Sequence, residues 1–192
     1  MRIALALKGI DVAVVPVHLR HSEQLGAAHT ARNPLGQVPV LEWEVGGETR
    51  RLTQSLAIIQ YLERTGPAPS VLPTSAFEAA KAWQMAELIN AGIQPLQNLS
   101  VMRHLGGLGR PFGKHWIQNG LDALEAMTGD SDFLVGSRPS VAECCLIPQL
   151  YNARRFGLDP GCWPALNRID ARCASLDAFQ QAHPDNQPDA GT

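Results

Sequence analysis

The chain has 192 residues, of which 45% are hydrophobic and 18% charged, with a formal net charge of −2. That balance is the one expected of a globular protein with one or two small domains. With no Lys/Arg cluster to neutralise phosphates, it excludes nucleic acid as a partner. The four cysteines, Cys144, Cys145, Cys162 and Cys173, show no C-x-x-C spacing. They read as free or buried thiols of a reducing, cytoplasmic compartment. The histidines are scattered without ligand spacing, so no metal site is expected. Residues 3–7 are too short an apolar run for a signal peptide, and no run is long enough to span a membrane.

Ile3, Leu7 and Ile10 fall at helical spacing, with Lys8 and Gly9 supplying a cation near the end and a left-handed stop. Residues 11–19 alternate densely enough to predict a largely buried strand. A polar stretch with a short helix follows, closed by Asn33-Pro34. Residues 38–45 predict a strand with Leu41, Trp43 and Val45 on one face. Gly46-Gly47 predicts a two-residue hairpin into a second strand over 48–52. Residues 54–64 predict a helix with Leu56, Ile59 and Leu62 on its core side. Gly66-Pro67-Ala68-Pro69-Ser70, with Pro73, reads as a linker.

Everything beyond the linker reads as helix. A long helix is expected over 76–102, kinked at Gly92 and Pro95, and others over 113–127, 141–155 and 167–176. Ser140-Val141-Ala142-Glu143 is a capping box for the third of these. The tail from His183 is polar and expected to fray. His104 and His115 have no acidic partner nearby in sequence and read as solvated or packed side chains. Cys144 and Cys145 follow the capping box, where burial makes them inert.

Two segments point to a ligand. Asn33-Pro34-Leu35-Gly36-Gln37-Val38-Pro39-Val40-Leu41 reads as a loop entering a strand at a Val-Pro bond, with Val38 able to pair with an extended peptide. Thr53-Gln54-Ser55 opens a helix, where side chains and free N–H groups suit a carboxylate. The spacing alone indicates an extended ligand with an anionic end.

These segments, together with MRIALALKG at the start, TQSLAIIQYL, Gly92 to Ser100 (GIQPLQNLS), Pro148 to Phe156 (PQLYNARRF) and Asn186-Gln187-Pro188-Asp189, resemble the zeta class of glutathione transferases over essentially the whole chain. The resemblance implies a thioredoxin-like glutathione-binding domain (1–65), a linker (66–74) and an all-helical C-terminal domain (75–192). It also implies a homodimer. Glutathione is the implied cofactor, contacted by Gln37, Val38, Gln54 and Ser55, and by Gln94, Asn98, Leu99 and Ser100. Arg155 is the implied substrate ligand, since a guanidinium suits a carboxylate. Arg154 is accounted for by the helix macrodipole.

The implied reaction is cis–trans isomerisation of a small diacid, maleylacetoacetate to fumarylacetoacetate, in tyrosine and phenylalanine catabolism. Glutathione thiolate adds to the alkene, the new single bond rotates, and elimination gives the trans product. Isomerisation of maleylpyruvate, or general glutathione transfer to small α-halo acids, is the neighbouring activity. A non-catalytic glutathione-binding or structural protein is the alternative from another class. Members of the class place a strand and a Ser-rich turn ahead of the R-I-A-L-x-L-K-G helix, and that turn carries the thiolate-stabilising donor. No residue of this chain matches it, so none is expected to be catalytic. The expectation is a start assigned downstream of that strand and turn, against a true fragment of low activity. Without the strand its neighbours lose ladder partners, at about 1–3 kcal/mol per unpaired group, and the first domain is expected to be marginal.

Overall fold

The computed structural model describes residues 1–187 and 190. These divide into two compact units, one of residues 1–69 with those from 181 onward, the other of residues 70–180. Of the predicted tail, Pro188 and Asp189 lie outside the described residues; the part described forms a 3₁₀ turn, Pro184–Asn186.

In the first unit, α1 (Arg2–Leu7) buries Ile3, Ala4 and Leu5. Gly9 takes the left-handed conformation (φ 62°) expected of the stop. Lys8 does something the sequence did not suggest. Its ammonium is buried, pairs with Glu63 at 2.8 Å and donates to the Pro69 carbonyl at 3.1 Å. It thus joins α1 to the end of the helix that carries Glu63 and to the segment leaving it.

The expected strand over 11–19 is not formed. Residues 11–18 have no regular structure, and Val12, Val14 and Val15 are 41%, 48% and 73% exposed. Alternation alone does not make a strand: the ladder needs a partner, and among the described residues the only paired strands are the two of a hairpin over 40–53. Two 3₁₀ turns and α2 (Ala27–Thr30) follow, as the polar stretch suggested.

The hairpin forms as predicted. Strands β1 (Val40–Val45) and β2 (Glu48–Thr53) are antiparallel, with Val45 opposite Glu48 across Gly46 and Gly47. Both glycines have positive φ (61° and 83°), which the tight turn requires. The first strand starts at Val40, leaving Val38 and Pro39 ahead of the ladder. Leu41 and Trp43 are half-buried, whereas Val45 is exposed, because it sits at the open end beside the turn. Helix α3 (Ser55–Thr65) buries Leu56, Ile58, Ile59 and Leu62. The core of this unit is Leu5, Ile58 and Leu62, with Met1, Ile10, Leu41, Leu52 and Tyr61 packed on it. Trp43 and Tyr61 meet with ring centroids 4.8 Å apart.

The second unit is helical. The single kinked helix expected over 76–102 is three pieces: α4 (Ala76–Gly92), a 3₁₀ turn (Gln94–Gln97) and α5 (Leu99–Leu105). Pro95 supplies no N–H and its ring crowds the preceding turn, so the α-helical ladder breaks into a 3₁₀ turn there rather than bending. Helix α6 (Gly109–Met127) starts a turn earlier than predicted. There Gly120 admits the buried Ile93: a Cβ would lie 2.3 Å from Ile93 Cγ1. Helix α7 (Val141–Arg155) opens on the predicted capping box. Helices α8 (Pro164–Ala174) and α9 (Asp177–Ala182) replace the single helix expected over 167–176, since Pro164 is at home in a first helical turn.

Glu143 of the capping box is fully buried and reaches beyond its own helix. It accepts from Ser140 N at 2.7 Å, Ser140 Oγ at 2.8 Å and Leu134 N at 2.6 Å. The loop before α7 is thereby fastened to the helix it precedes. Among the described residues no helix is long and apolar enough to cross a membrane.

Candidate active site

In the first unit the expected peptide-binding loop is held by two buried donors. His29 Nε2 lies 2.9 Å from the Gln37 carbonyl oxygen, and Asn33 Nδ2 donates to the same oxygen at 2.8 Å. Since a carbonyl only accepts, the His29 nitrogen facing it carries the proton. Asn33 Oδ1 also accepts from Leu35 N at 3.2 Å, closing the turn. Gly36 is needed for a close approach as well as for its positive φ of 60°: a Cβ there would fall 2.8 Å from Leu25 Cδ2. The loop is therefore rigid up to Gln37. Beyond it Val38 is exposed, and among the described residues no hydrogen bond uses its backbone. The Val38–Pro39 bond is cis.

The second half of this site is the start of α3. Gln54 has a positive φ (67°, ψ 112°), an arrangement that costs a non-glycine residue on the order of 1–3 kcal/mol and concentrates at functional sites. Neither its side chain nor that of Ser55 caps the helix, and the first turn holds no acidic residue. The first N–H groups of this 11-residue helix are left for an anion. An extended backbone pairing at Val38 and an anion hole at Gln54-Ser55 suit a peptide with a terminal carboxylate. That is the chemistry of glutathione, and the residues present fit it.

In the second unit the polar run 94–100 separates into two kinds of residue. Gln97 is structural: its Nε2 donates to Gln149 Oε1 at 2.7 Å, and its Oε1 accepts from Asn152 Nδ2 at 2.7 Å. Gln94, Asn98 and Ser100 make no side-chain hydrogen bond among the described residues, and Asn98 and Ser100 are exposed. Leu99 is exposed beside them.

The two arginines ending α7 also differ. Arg154 pairs with Asp170 of α8. Arg155 is exposed, and among the described residues its guanidinium has no partner, although its backbone carbonyl is held. Arg110 donates to the Arg155 carbonyl at 2.8 Å and lies over the Phe156 ring, 5.2 Å from its centroid. Lys114 donates to the Gly157 carbonyl at 3.3 Å. These cations from α6 satisfy carbonyls at the end of α7. A held backbone under a free guanidinium is what a carboxylate ligand requires.

Sequence reasoning did not single out His29, Asn33, Arg110, Gln149 or Asn152. Asn33 stood inside the quoted loop motif, but its role depends on a fold-back that spacing does not reveal. His104 and His115 are exposed, as expected. Of the cysteines, Cys144, Cys145 and Cys173 are buried and Cys162 is exposed. Burial pushes the Cys144 thiol up to about 12 and that of Cys145 to about 11, and raises Cys173 as well. A maleimide reagent added to the native protein at pH 8 should therefore label Cys162 alone. Labelling of the other three before unfolding would contradict their burial.

Comparison with known proteins gives the family. The glutathione S-transferase N-terminal domain matches residues 1–65, and the glutathione S-transferase C-terminal domain matches residues 117–185. The chain is 41% identical to maleylacetoacetate isomerase of Pseudomonas aeruginosa, over 98% of this chain and 92% of that one. It is also 41% identical to maleylacetoacetate isomerase of Rattus norvegicus, over 98% and 88%. A crystal structure of maleylacetoacetate isomerase from Anaeromyxobacter dehalogenans, with GSH in its active site, superposes with a TM-score of 0.90. It has 48% identity and covers 98% of this chain and 90% of that one. A holo structure of maleyl pyruvate isomerase, a bacterial zeta-class enzyme, superposes equally well at 0.90, with 35% identity over 99% and 93%. Thioredoxin-like first domain, helical second domain and near-complete coverage agree: the chain belongs to the glutathione transferase family, in its zeta-class, maleylacetoacetate isomerase branch.

Proposed function

We propose that this protein is a glutathione-dependent cis–trans isomerase that converts maleylacetoacetate to fumarylacetoacetate in tyrosine and phenylalanine breakdown. The observation that carries the reading is Arg155, a cation with a fixed backbone and a free, exposed guanidinium in a chain of this family. A single exposed guanidinium fits one carboxylate of a small diacid bidentately. Bound glutathione supplies the thiol that makes the double bond transiently single. The chain's own residues bind and orient: Gln37 takes the glycine end of glutathione, Val38 its cysteinyl backbone, and Gln54 and Ser55 the γ-glutamyl carboxylate. Gln94, Asn98, Leu99 and Ser100 also contact glutathione, and Arg155 holds the substrate.

The domain assignment follows these roles: 1–65 binds glutathione, 66–74 is a linker and 75–192 is the helical domain. The protein acts in the cytoplasm as a homodimer. Purified protein incubated with maleylacetoacetate and glutathione should form fumarylacetoacetate, and should fail to do so without glutathione. Folded protein that turns over neither maleylacetoacetate nor maleylpyruvate would sink the reading. Maleylpyruvate is the second substrate to test, because the zeta-class maleyl pyruvate isomerase structure is as similar in fold. The larger kcat/KM identifies the physiological diacid.

The loop anchors give a separate expectation. His29→Phe or Asn33→Ala removes one of the two donors on the Gln37 carbonyl. Each should weaken glutathione binding roughly 3- to 10-fold, the worth of a lost hydrogen bond of about 0.5–1.5 kcal/mol. His29→Gln, which restores an N–H, should recover part of it. Calorimetric titration with glutathione checks all three. Unchanged affinity in both variants would show that the loop holds its shape without them.

A further inference from the structure

Gln149 on α7 has no accessible surface, yet it is an amide in a helix that is otherwise free to bury apolar side chains there. A buried amide is costly unless both its ends are bonded. Here they are: Gln97 and Gln149 face each other, each donating to the other's oxygen at 2.7 and 3.2 Å, and Asn152 Nδ2 adds a second donor on Gln97 Oε1 at 2.7 Å. The amides are locked together. Turning Gln97 over alone would set its NH₂ against that of Asn152 and its oxygen against the oxygen of Gln149.

The position of this cluster is informative. Gln97 ends the turn that begins with Gln94 and immediately precedes Asn98. Asn152 lies three residues before Arg155 on α7, hence on the same side of that helix. The two carriers also meet on α6, where a Cβ on Gly113 would fall 2.9 Å from Phe156 Cε1 and 3.7 Å from the Gln97 Cα. Apolar side chains would hold these elements together but not set their register, whereas a bonded amide cluster accepts one register only.

We propose that Gln97, Gln149 and Asn152 form an amide clasp that sets the position of Arg155 relative to the Gln94–Ser100 wall, and so governs affinity for the dicarboxylate substrate. They are positioning residues, and the proposal rests on the reading of Arg155 given above. Glutathione keeps its contacts at Gln37, Val38, Gln54 and Ser55 whatever the clasp does, so it should be less sensitive to the clasp than the diacid.

The test uses the half-buried members of the clasp, with maleate, a cis-enedicarboxylate, as the probe. Its Kd is measured by calorimetry on protein saturated with S-methylglutathione, whose blocked sulfur cannot add to the double bond, beside the Kd for glutathione and the Tm of each variant. Asn152→Ala and Gln97→Leu should each weaken maleate roughly 3- to 10-fold, the range for one lost hydrogen bond, with glutathione weakened by a smaller factor. The double variant should weaken maleate no more than the stronger single, because the residues act as one unit. Asn152→Asp, which sets an acceptor against Gln97 Oε1, should lose at least as much and serves if Asn152→Ala folds poorly. Arg155→Ala is the control. If Arg155→Ala weakens maleate but the clasp variants only lower Tm, the clasp is mere packing and the proposal fails. Equal weakening of maleate and glutathione also overturns it. If Arg155→Ala leaves maleate binding unchanged, the reading of Arg155 itself has failed, and the clasp's role falls with it.

Discussion

Arg155→Ala should lower kcat/KM for the diacid by roughly 10- to 100-fold, because a hydrogen-bonded ion pair contributes about 1.5–3 kcal/mol and each 1.4 kcal/mol is tenfold. Glutathione affinity should stay within about twofold in the same variant, since no glutathione contact is assigned to that side chain. Arg154→Ala is the informative neighbour. Its guanidinium is engaged by Asp170, so its loss should lower Tm slightly and leave the diacid parameters as they were. Arg155→Lys keeps the charge but not the planar fork, and should recover only part of the activity. Steady-state kinetics with varied diacid at saturating glutathione separate these outcomes. Equal losses in Arg154→Ala and Arg155→Ala, or a glutathione Kd that rises with the diacid KM, would remove Arg155 from its role.

The difference between these adjacent arginines marks the limit of what the sequence could say. Both end a helix, where the macrodipole accounts for a cation equally well at either position. Only the fold shows that Asp170 takes one and that nothing among the described residues takes the other. The same holds along 94–100, where the uncharged polar residues looked alike. Gln97 turned out to be spoken for by Gln149 and Asn152, more than fifty residues away in sequence. Local signals were read well because their physics is local: the glycine pair of the hairpin, the stop at Gly9, the capping box at Ser140.

Where pairing or tertiary contact decides, local pattern misled. Residues 11–19 have the alternation of a strand, but the described residues offer no ladder for it. Lys8 carries the mark of an exposed helix end, yet its ammonium is buried against Glu63. The loop 33–38 reads as a ligand loop from its own residues. What holds it, the convergence of His29 and Asn33 on one carbonyl, depends on a fold-back that no short motif encodes.

The largest effect on stability should come from Glu143. Its side chain is the common acceptor for Ser140 N, Ser140 Oγ and Leu134 N, all in buried surroundings. Glu143→Ala leaves those donors unpaired at about 1 kcal/mol or more each, so a loss of roughly 3–5 kcal/mol is expected. Ser140→Ala removes only the cap hydroxyl and should cost about 1–2 kcal/mol. Urea midpoints at constant slope compare the two, and a smaller loss for Glu143→Ala than for Ser140→Ala would contradict the assignment.

The same residue predicts a pH dependence. Burial raises the Glu143 carboxyl above its ordinary value, while the donors from Leu134 and Ser140 pull it back only in part. The native state therefore keeps a proton at pH values where the unfolded chain has released it. The stability gained from that proton is complete below the ordinary carboxylate value and is lost as pH rises towards the raised native value. Glu143→Gln cannot titrate, so its stability relative to the unaltered protein should improve steadily as pH rises through this window. Thermal unfolding of both proteins across that range measures the difference directly. A difference that does not vary with pH would mean that Glu143 titrates alike folded and unfolded, and that the N–H donors offset its burial in full.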